Sequence, residues 1–284
     1  MHQSRYLSNF ATIRKYNDHT YKVVSFQYSY DTAPDLRQKV KKGSRNSKKL
    51  DNNISRAKSK IFDLAASNSW EYFVTFTLNS ENYDRENLEI FRKDFSKKIT
   101  NYNHYHHVNI QYLLIPEEHK DEKSWHFHGL MRGIPKEMLV LFTPDMHLPY
   151  SILDKLKKGE CVYDWPFYSN HFGFCNIESV RDPDKVCGYI TKYITKDLVQ
   201  SVSRLNSHCY YASKGLKRSE IIKRGELVKD FIPDFKNEYI KSKTFSSAEE
   251  ALSFFESDNS TELSGFPFLS YIEKGERKIL DEIL

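Results

Sequence analysis

Apolar positions recur along the chain with two different periods. Residues Trp70 to Leu78 are rich in β-branched and aromatic side chains, so they predict a strand that is apolar on both faces and central in its sheet. Spacings of three and four predict two amphipathic helices, one from Asp84 to about Asn101 and one from about Pro183 to Leu198. Their apolar positions are Leu88, Phe91, Phe95 and Ile99 in the first and Val186, Ile190, Ile194 and Leu198 in the second.

The remaining pattern contains more strands than helices. Period-two or apolar runs predict strands at Tyr21 to Tyr30, Gln111 to Ile115, His171 to Val180 and His208 to Ser213. A further helix is predicted from Lys48 to Ser67, and the polar segment Pro116 to Ser124 is predicted to turn the chain back into an antiparallel hairpin. The predicted fold class is therefore α+β, with helices packed on one face of a mainly antiparallel sheet.

Changes in composition divide the chain into three predicted parts. Residues 1–68 combine one strand with a basic arm and helix, and residues 69–230 form the sheet domain. Within that domain, the irregular, proline-containing segment at about 133–170 is interpreted as an insertion. Residues 231–284 form an acidic tail for which a small helix is one interpretation, since nine acids and three bases occur from Ser246 to Leu284.

The composition argues against several classes of protein. No apolar run in the 284 residues approaches the roughly 18 that a membrane span needs, and the first residues show no apolar signal-peptide region. The four cysteines form no C-x-x-C pair, so neither a zinc ribbon nor a redox motif is indicated. We therefore expect a soluble, intracellular protein with free thiols.

Positive charge is concentrated just before the sheet domain. Between Arg37 and Lys60, ten lysines and arginines accompany a single acid, Asp51. A solvated surface explains most charge runs, but this ratio favours an arm that binds a polyanion such as a nucleic-acid backbone. A second basic stretch runs from Lys214 to Lys229. The predicted DNA contacts are Arg37, Lys39, Lys41, Lys42, Arg45, Lys48, Lys49, Lys217 and Arg218.

Two histidines lie two residues apart in an apolar strand. In His126-Phe127-His128 the imidazoles share one face of the strand, because successive side chains alternate. The predicted hairpin returns Glu117 or Glu118 beside them. Two imidazoles and a carboxylate leave coordination positions open on a divalent ion that must also bind a substrate phosphate. The alternative is a hydrogen-bonded histidine pair with no metal.

Two tyrosines lie four residues apart on the second predicted helix. Tyr189 and Tyr193 are neighbours on its surface, and a lysine follows each by three residues. Lysines and tyrosines share one sector of the helix, formed by Lys185, Tyr189, Lys192, Tyr193 and Lys196. The simple interpretation is that amphipathic tyrosines flank an apolar stripe. The alternative is a tyrosine nucleophile, whose phenolate needs a nearby positive charge because its reference pKa is about 10.

Together these motifs resemble those of the HUH endonucleases. The strand Phe73-Val-Thr-Phe-Thr-Leu78, the pair His126 and His128 with a preceding glutamate, and the Tyr189-x-x-x-Tyr193 helix occur in the family's order. The similarity spans about residues 70–214 and is greatest to the rolling-circle replication initiators of small phages and plasmids. It implies a ferredoxin-like, antiparallel sheet of about five strands, with Phe127 anchored in the core.

The resemblance also implies a reaction. His126, His128 and Glu117 would bind Mg²⁺ or Mn²⁺; Glu117 is favoured over Glu118 because it continues the alternation of Leu113 and Ile115. A tyrosine would nick single-stranded origin DNA and form a 5′-phosphotyrosine, with slight preference for Tyr193. Lys192 and Lys196 would stabilise the phenolate or position the phosphate.

The absence of one motif sets the expected partners. No G-x-x-x-x-G-K-[ST] sequence occurs, so strand opening and extension would depend on a helicase and a polymerase in the cytoplasm of a bacterial host, away from membranes. Two alternatives are a transposase or relaxase of the same superfamily and a non-enzymatic nucleic-acid-binding module with an RRM-like sheet. A tyrosine that follows the histidine motif counts against a relaxase.

Overall fold

The structure is a computed structural model that describes residues 10–26, 47–84, 88–118, 125–194, 208–236 and 240–255. The strands are β1 (Phe10–Asn17), β2 (Thr20–Phe26), β3 (Tyr72–Thr77), β4 (Gln111–Glu118), β5 (Trp125–Arg132), β6 (Val140–Leu141), β7 (Val162–Asp164), β8 (Cys175–Ser179), β9 (Tyr211–Ala212), β10 (Glu220–Glu226), β11 (Phe235–Lys236) and β12 (Ile240–Phe245). The helices are α1 (Ser47–Ala66), α2 (Leu88–His106), α3 (Tyr150–Lys157), α4 (Pro166–Ser169), α5 (Pro183–Ile190) and α6 (Ala248–Leu252), with 3₁₀ turns at Lys136–Met138 and Thr191–Tyr193.

The chain forms two compact units. One comprises residues 47–218, and the other combines the described parts of residues 1–46 and 219–284. These boundaries differ from the predicted ones at 68/69 and 230/231, because α1 belongs to the central unit and the predicted tail supplies strands. β2 extends over most of the strand predicted at Tyr21 to Tyr30, whose last four residues lie outside the described ranges.

The unit built from both ends of the chain contains an antiparallel sheet in the order β10-β1-β2-β12-β11. Its core lies on one face of β1 and β2, where Ile13 and Val23 are fully buried. α6 closes this core with Ala251, and Phe255 follows the helix into the same cluster. The part predicted as an acidic tail therefore contributes two strands and a short helix within its described residues.

The central unit contains a larger antiparallel sheet in the order β6-β7-β8-β3-β5-β4-β9. The prediction that β3 is central is confirmed, and the α+β class is confirmed. The sheet has seven strands rather than about five, since β6 and β7 come from the segment interpreted as an irregular insertion. Strands of two and three residues are too short to show a period of two, so the sequence pattern did not indicate them.

Helices lie on both faces of this sheet. Phe91 of α2 stacks on Phe127 with ring centroids 4.7 Å apart, whereas Tyr189 of α5 contacts Phe73 at 5.5 Å. Phe73 and Phe127 belong to opposite faces, because Phe73 shares its face with the partners of His126 and His128. The prediction that the helices cover one face is therefore wrong. The apolar stripe of each helix was predicted, but a stripe does not indicate which face it covers.

The second predicted helix is shorter than expected. α5 ends at Ile190, a 3₁₀ turn follows, and Ile194 has extended backbone angles of φ −84° and ψ 91°. The prediction of a continuous helix to Leu198 is therefore wrong at its end. Thr191 explains part of the early end, since its hydroxyl donates a hydrogen bond to the Gly188 carbonyl at 2.7 Å and so competes with the helical pattern.

Within the described residues, no helix combines the length and the apolar character needed to cross a membrane.

An aromatic cluster forms the core between α2 and the sheet. Tyr168 is fully buried there, and its ring stacks on Phe76 with centroids 4.0 Å apart. The Tyr168 hydroxyl has no hydrogen-bond partner in the part of the chain that the structure describes. Burial raises the pKa of this phenol well above its ordinary value. Tyr83, nearby, instead donates a hydrogen bond to the Asp94 carboxylate.

These two tyrosines provide a matched pair for a stability measurement. Tyr168→Phe is expected to leave the free energy of unfolding unchanged or to raise it by up to about 1 kcal/mol, because it removes a buried polar group without breaking a hydrogen bond. Tyr83→Phe is expected to lower it by about 1 kcal/mol. Urea unfolding followed by tryptophan fluorescence measures both, since Trp70, Trp125 and Trp165 all lie in the central unit. A clear loss of stability in Tyr168→Phe would mean that its hydroxyl is bonded to a buried water.

Candidate active site

The two histidines lie opposite two threonines in the centre of the larger sheet. In the antiparallel register His128 faces Thr75 and His126 faces Thr77. The Thr75 Oγ1 atom lies 3.2 Å from His128 Nδ1, and the Thr77 Oγ1 atom lies 2.9 Å from His126 Nδ1. Both imidazoles therefore point to the same face, as predicted, with their Nδ1 edges directed at β3.

Glu117 lies on the same face as the histidines. The predicted turn began at Pro116, but β4 continues to Glu118, and Glu117 is opposite His126 in the register. The Glu117 Oε2 atom reaches the neighbouring His128 Nε2 at 2.7 Å. Glu118 is opposite Trp125, so strand alternation places it on the other face. Of the two glutamates in question, Glu117 is the one beside the histidines.

A glycine next to His128 permits the close approach of β4 to β5. A Cβ atom at Gly129 would lie 2.6 Å from the Leu113 carbonyl oxygen and 2.4 Å from the Leu114 side chain. Because the carbonyl belongs to the backbone, a larger residue would have to displace β4. Glu117 is on β4, so this glycine helps to keep the carboxylate within reach of the histidines.

Capping fixes the start of the helix that carries the tyrosines. The Asp182 carboxylate accepts a hydrogen bond from the Lys185 backbone N–H at 3.1 Å, and Pro183 occupies the first turn. The Lys185 ammonium also pairs with Asp182 at 2.6 Å. Lys185 therefore interacts with the start of the helix, although the sequence pattern placed it in the same sector as the tyrosines.

Both tyrosines lie against the histidine face. The Tyr193 ring stacks on the His128 ring with centroids 4.3 Å apart and planes inclined by 17°. The Tyr189 and Tyr193 hydroxyls are 2.9 Å apart. The Phe73 ring contacts both tyrosines and His128, at 5.5 to 6.4 Å. The predicted helical spacing of four thus brings the two phenols together although the helix tightens between them.

The surroundings of Tyr193 keep its phenol neutral. Burial raises the pKa of Tyr193 above its ordinary value, and the hydrogen bond from Tyr189 and the charges of Glu117 and Glu178 act in the same direction. The Lys192 ammonium lies 5.4 Å from the centre of the Tyr189 ring. Lys196 lies outside the described residues. Formation of a Tyr193 phenolate therefore requires an additional positive charge at the site.

The donor types at this site suit a divalent ion, although they do not yet surround a common point. Among the described residues, no group of three or more histidine, cysteine or acidic side chains is close enough to hold a metal ion. Glu117 contacts His128 and is opposite His126, so changes of side-chain rotamer would bring the three donors together. Imidazole nitrogens and a carboxylate are ligands for ions such as Mn²⁺.

The same part of the chain resembles proteins of DNA replication. Residues 71–198 match a family model of replication-associated proteins of the ORF2 type. We call this segment the replication-associated region. It covers slightly less than half of the chain and contains His126, His128, Glu117, Tyr189 and Tyr193. The match is consistent with a replication initiator. Comparisons with curated proteins and with solved structures find no match.

Other residues of the replication-associated region belong to the site but were not singled out from the sequence. Phe73, Thr75 and Thr77 alternate on β3 and contact the histidines or tyrosines. Glu178 is opposite Phe73 and pairs with Lys155 at 2.6 Å. Threonines at alternate positions of an otherwise apolar central strand were the available signal. Their meaning depends on the register with β5, which a single sequence does not give.

The predicted DNA-contacting residues are not assembled at the site. Arg37, Lys39, Lys41, Lys42 and Arg45 lie outside the described residues, and of Lys48 and Lys49 only the helical backbone is described. Lys217 accepts and donates backbone hydrogen bonds with the Asn68 side chain. Arg218 lies near Lys60, whose pKa is lowered by burial and by the charge of Arg218. The two like charges form a local positive surface on the central unit.

Proposed function

We propose that this chain initiates rolling-circle replication of a phage or plasmid by nicking and rejoining single-stranded DNA at an origin. The reaction is metal-dependent and passes through a 5′-phosphotyrosine. The observation that carries the proposal is the stacking of Tyr193 on His128, which itself contacts Glu117, inside a region that matches a replication-associated family. A potential nucleophile and potential metal ligands therefore meet on one face of the sheet.

Tyr193 provides the nucleophile for the first cut. Its phenolic oxygen attacks the scissile phosphorus, the new bond joins tyrosine to the 5′ phosphate, and the bond to the 3′ oxygen breaks. The leaving oxygen takes up a proton and becomes a free 3′-hydroxyl that a host polymerase extends. One phosphodiester replaces another, so rejoining the DNA requires no nucleotide cofactor.

Three side chains of the sheet hold the ion. His126, His128 and Glu117 are the ligands, and Mg²⁺ or Mn²⁺ bound there would polarise a non-bridging phosphate oxygen. Phe73 packs beneath the tyrosines and the His128 ring, so it fixes the distance between nucleophile and ligands.

Tyr189 has two roles in the proposed reaction. Its hydroxyl, 2.9 Å from that of Tyr193, is the first acceptor for the proton that Tyr193 loses, and its exposed position lets water take the proton onward. In the second strand transfer, which releases a unit-length circle, Tyr189 serves as the nucleophile while Tyr193 holds the first strand. Lys192 beside Tyr189, together with Lys196, supplies positive charge to the phenolate or the phosphate.

Basic residues outside the site hold the DNA backbone. The run from Arg37 to Lys60 and the pair Lys217 and Arg218 make phosphate contacts that do not depend on sequence. A host helicase opens the duplex.

The proposal is tested by looking for a covalent adduct. The chain is incubated with single-stranded oligonucleotides that tile its own replicon, with Mn²⁺ or with EDTA, and the products are separated on a denaturing gel. We expect one origin sequence to give a protein–DNA adduct and a free 3′-hydroxyl fragment with Mn²⁺ and neither with EDTA. Equal cleavage in EDTA would contradict the metal site, and the absence of any adduct over the whole replicon would contradict the function.

A further inference from the structure

We infer that Thr75 and Thr77 are positioning residues that hold the two histidine rings with both Nε2 atoms directed away from β3, toward the tyrosines. The consequence for metal binding rests on the proposed function. The hydrogen bonds themselves do not, because they join protein atoms alone, at 3.2 and 2.9 Å.

The arrangement occurs twice with the same geometry. Each histidine is directly opposite its threonine in the β3–β5 register, and each hydroxyl meets the Nδ1 atom. Threonine is β-branched, so its χ1 angle has few choices and its hydroxyl keeps a fixed direction on a strand. Two threonines spaced by two residues on β3 thus match two histidines spaced by two residues on β5.

Stacking alone does not orient the His128 ring. Phe73 and Tyr193 both contact His128 through its ring, with planes inclined by 24° and 17°. A half-turn of an imidazole about its χ2 angle leaves such stacking contacts almost unchanged, but it replaces Nδ1 by a carbon and moves Nε2. The threonine hydroxyl distinguishes the two orientations, since a ring carbon is a poor hydrogen-bond partner. Glu117 acts in the same sense at the Nε2 atom of His128.

The hydroxyl group suits this role chemically. A metal ion bound to Nε2 requires the remaining ring proton on Nδ1, and the threonine oxygen can accept that hydrogen bond. The hydroxyl can also donate, so it keeps the ring bonded when the proton is on Nε2 instead. Unlike a carboxylate, it adds no charge beside Glu117 and Glu178. Groups that orient a metal-bound histidine in this way commonly affect affinity as well as geometry.

The inference predicts a difference between valine and serine substitutions. Thr75→Val and Thr77→Val keep the shape of the side chain and remove the hydroxyl, so each is expected to weaken Mn²⁺ binding by about 10- to 100-fold. Thr75→Ser and Thr77→Ser keep the hydroxyl and are expected to stay within about 3-fold of the wild type, because the hydrogen bond is retained. Thr100→Val is the control, since the Thr100 hydroxyl donates to the Ser96 carbonyl on α2, remote from the histidines.

Two measurements on the full chain separate the possible outcomes. Mn²⁺ titration by electron paramagnetic resonance gives the affinity, and ¹⁵N NMR of labelled histidine rings gives the state of each Nδ1 atom without metal. We expect the Val variants, and not the Ser or Thr100→Val variants, to change the Nδ1 signals of His126 or His128.

The outcomes distinguish this inference from the proposed function. If the wild type binds Mn²⁺ and the Val variants bind it equally well, the positioning role is wrong while the metal site stands. If the wild type binds no Mn²⁺, the proposed metal site is wrong, and the NMR signals recorded without metal still decide the hydrogen bonds. Unchanged Nδ1 signals in both Val variants would overturn the inference in either case.

Discussion

A variant in which both Tyr189 and Tyr193 are replaced by phenylalanine is expected to form no covalent adduct with origin DNA. Phenylalanine keeps the ring contacts with Phe73 and His128 but has no oxygen that can attack phosphorus. The rate of adduct formation should therefore fall by at least about 1,000-fold, because covalent catalysis is lost and not merely weakened. The adduct is measured on a denaturing gel with Mn²⁺ and a single-stranded origin oligonucleotide.

The single variants assign the order of the two strand transfers. Tyr193→Phe is expected to lose the first cut, since Tyr193 stacks directly on His128. Tyr189→Phe is expected to keep a first cut that is slower by about 10-fold, because one hydrogen bond at the nucleophile is lost, and to lose the second transfer. Tyr105→Phe, an exposed tyrosine of α2, is the control. A full yield of adduct in the double variant would disprove the tyrosine mechanism.

Removing either histidine of the sheet is expected to reduce Mn²⁺-dependent cleavage by about 100-fold or more, because the ion loses a ligand and the phosphate loses its polarising contact. The variants are His126→Ala and His128→Ala, and cleavage is measured over a range of Mn²⁺ concentrations. Tryptophan fluorescence during urea unfolding checks that the central unit remains folded.

His171→Ala is the matched control for the histidine variants. The His171 Nδ1 atom bonds the Phe167 carbonyl oxygen at 3.0 Å at an exposed position, and the variant should cleave like the wild type. If His126→Ala and His128→Ala also cleave normally at limiting Mn²⁺, the alternative of a hydrogen-bonded histidine pair without metal is correct.

Long periodic patterns predicted the parts of the fold that local sequence controls. The stripe of Leu88, Phe91, Phe95 and Ile99 is buried as expected, and the apolar strand around Phe76 is central in its sheet. These predictions succeed because burial of a regular element repeats over many residues. The strands β6 and β7 are too short for such repetition, and their pairing depends on residues that are distant in sequence.

The candidate site shows the same division. Strand alternation predicted that His126 and His128 share a face, and helical spacing predicted that Tyr189 and Tyr193 are neighbours. The contacts of Thr75 and Thr77 were not predicted, since they depend on the register between β3 and β5. The early end of α5 was also missed, because a side chain that competes for a backbone carbonyl, as Thr191 does, leaves the apolar period unchanged.

The pairing of β1 with β10 has a consequence for folding order. β1 and β2 are synthesised first, yet their partners β10 and β12 are synthesised after the whole of residues 47–218. Contacts between distant parts of a chain form slowly, because a long loop must close before they gain any energy. The central unit, with the histidines and tyrosines, can therefore fold on the ribosome while β1 and β2 still lack two of their neighbours. Completion of the second sheet becomes the late step in folding.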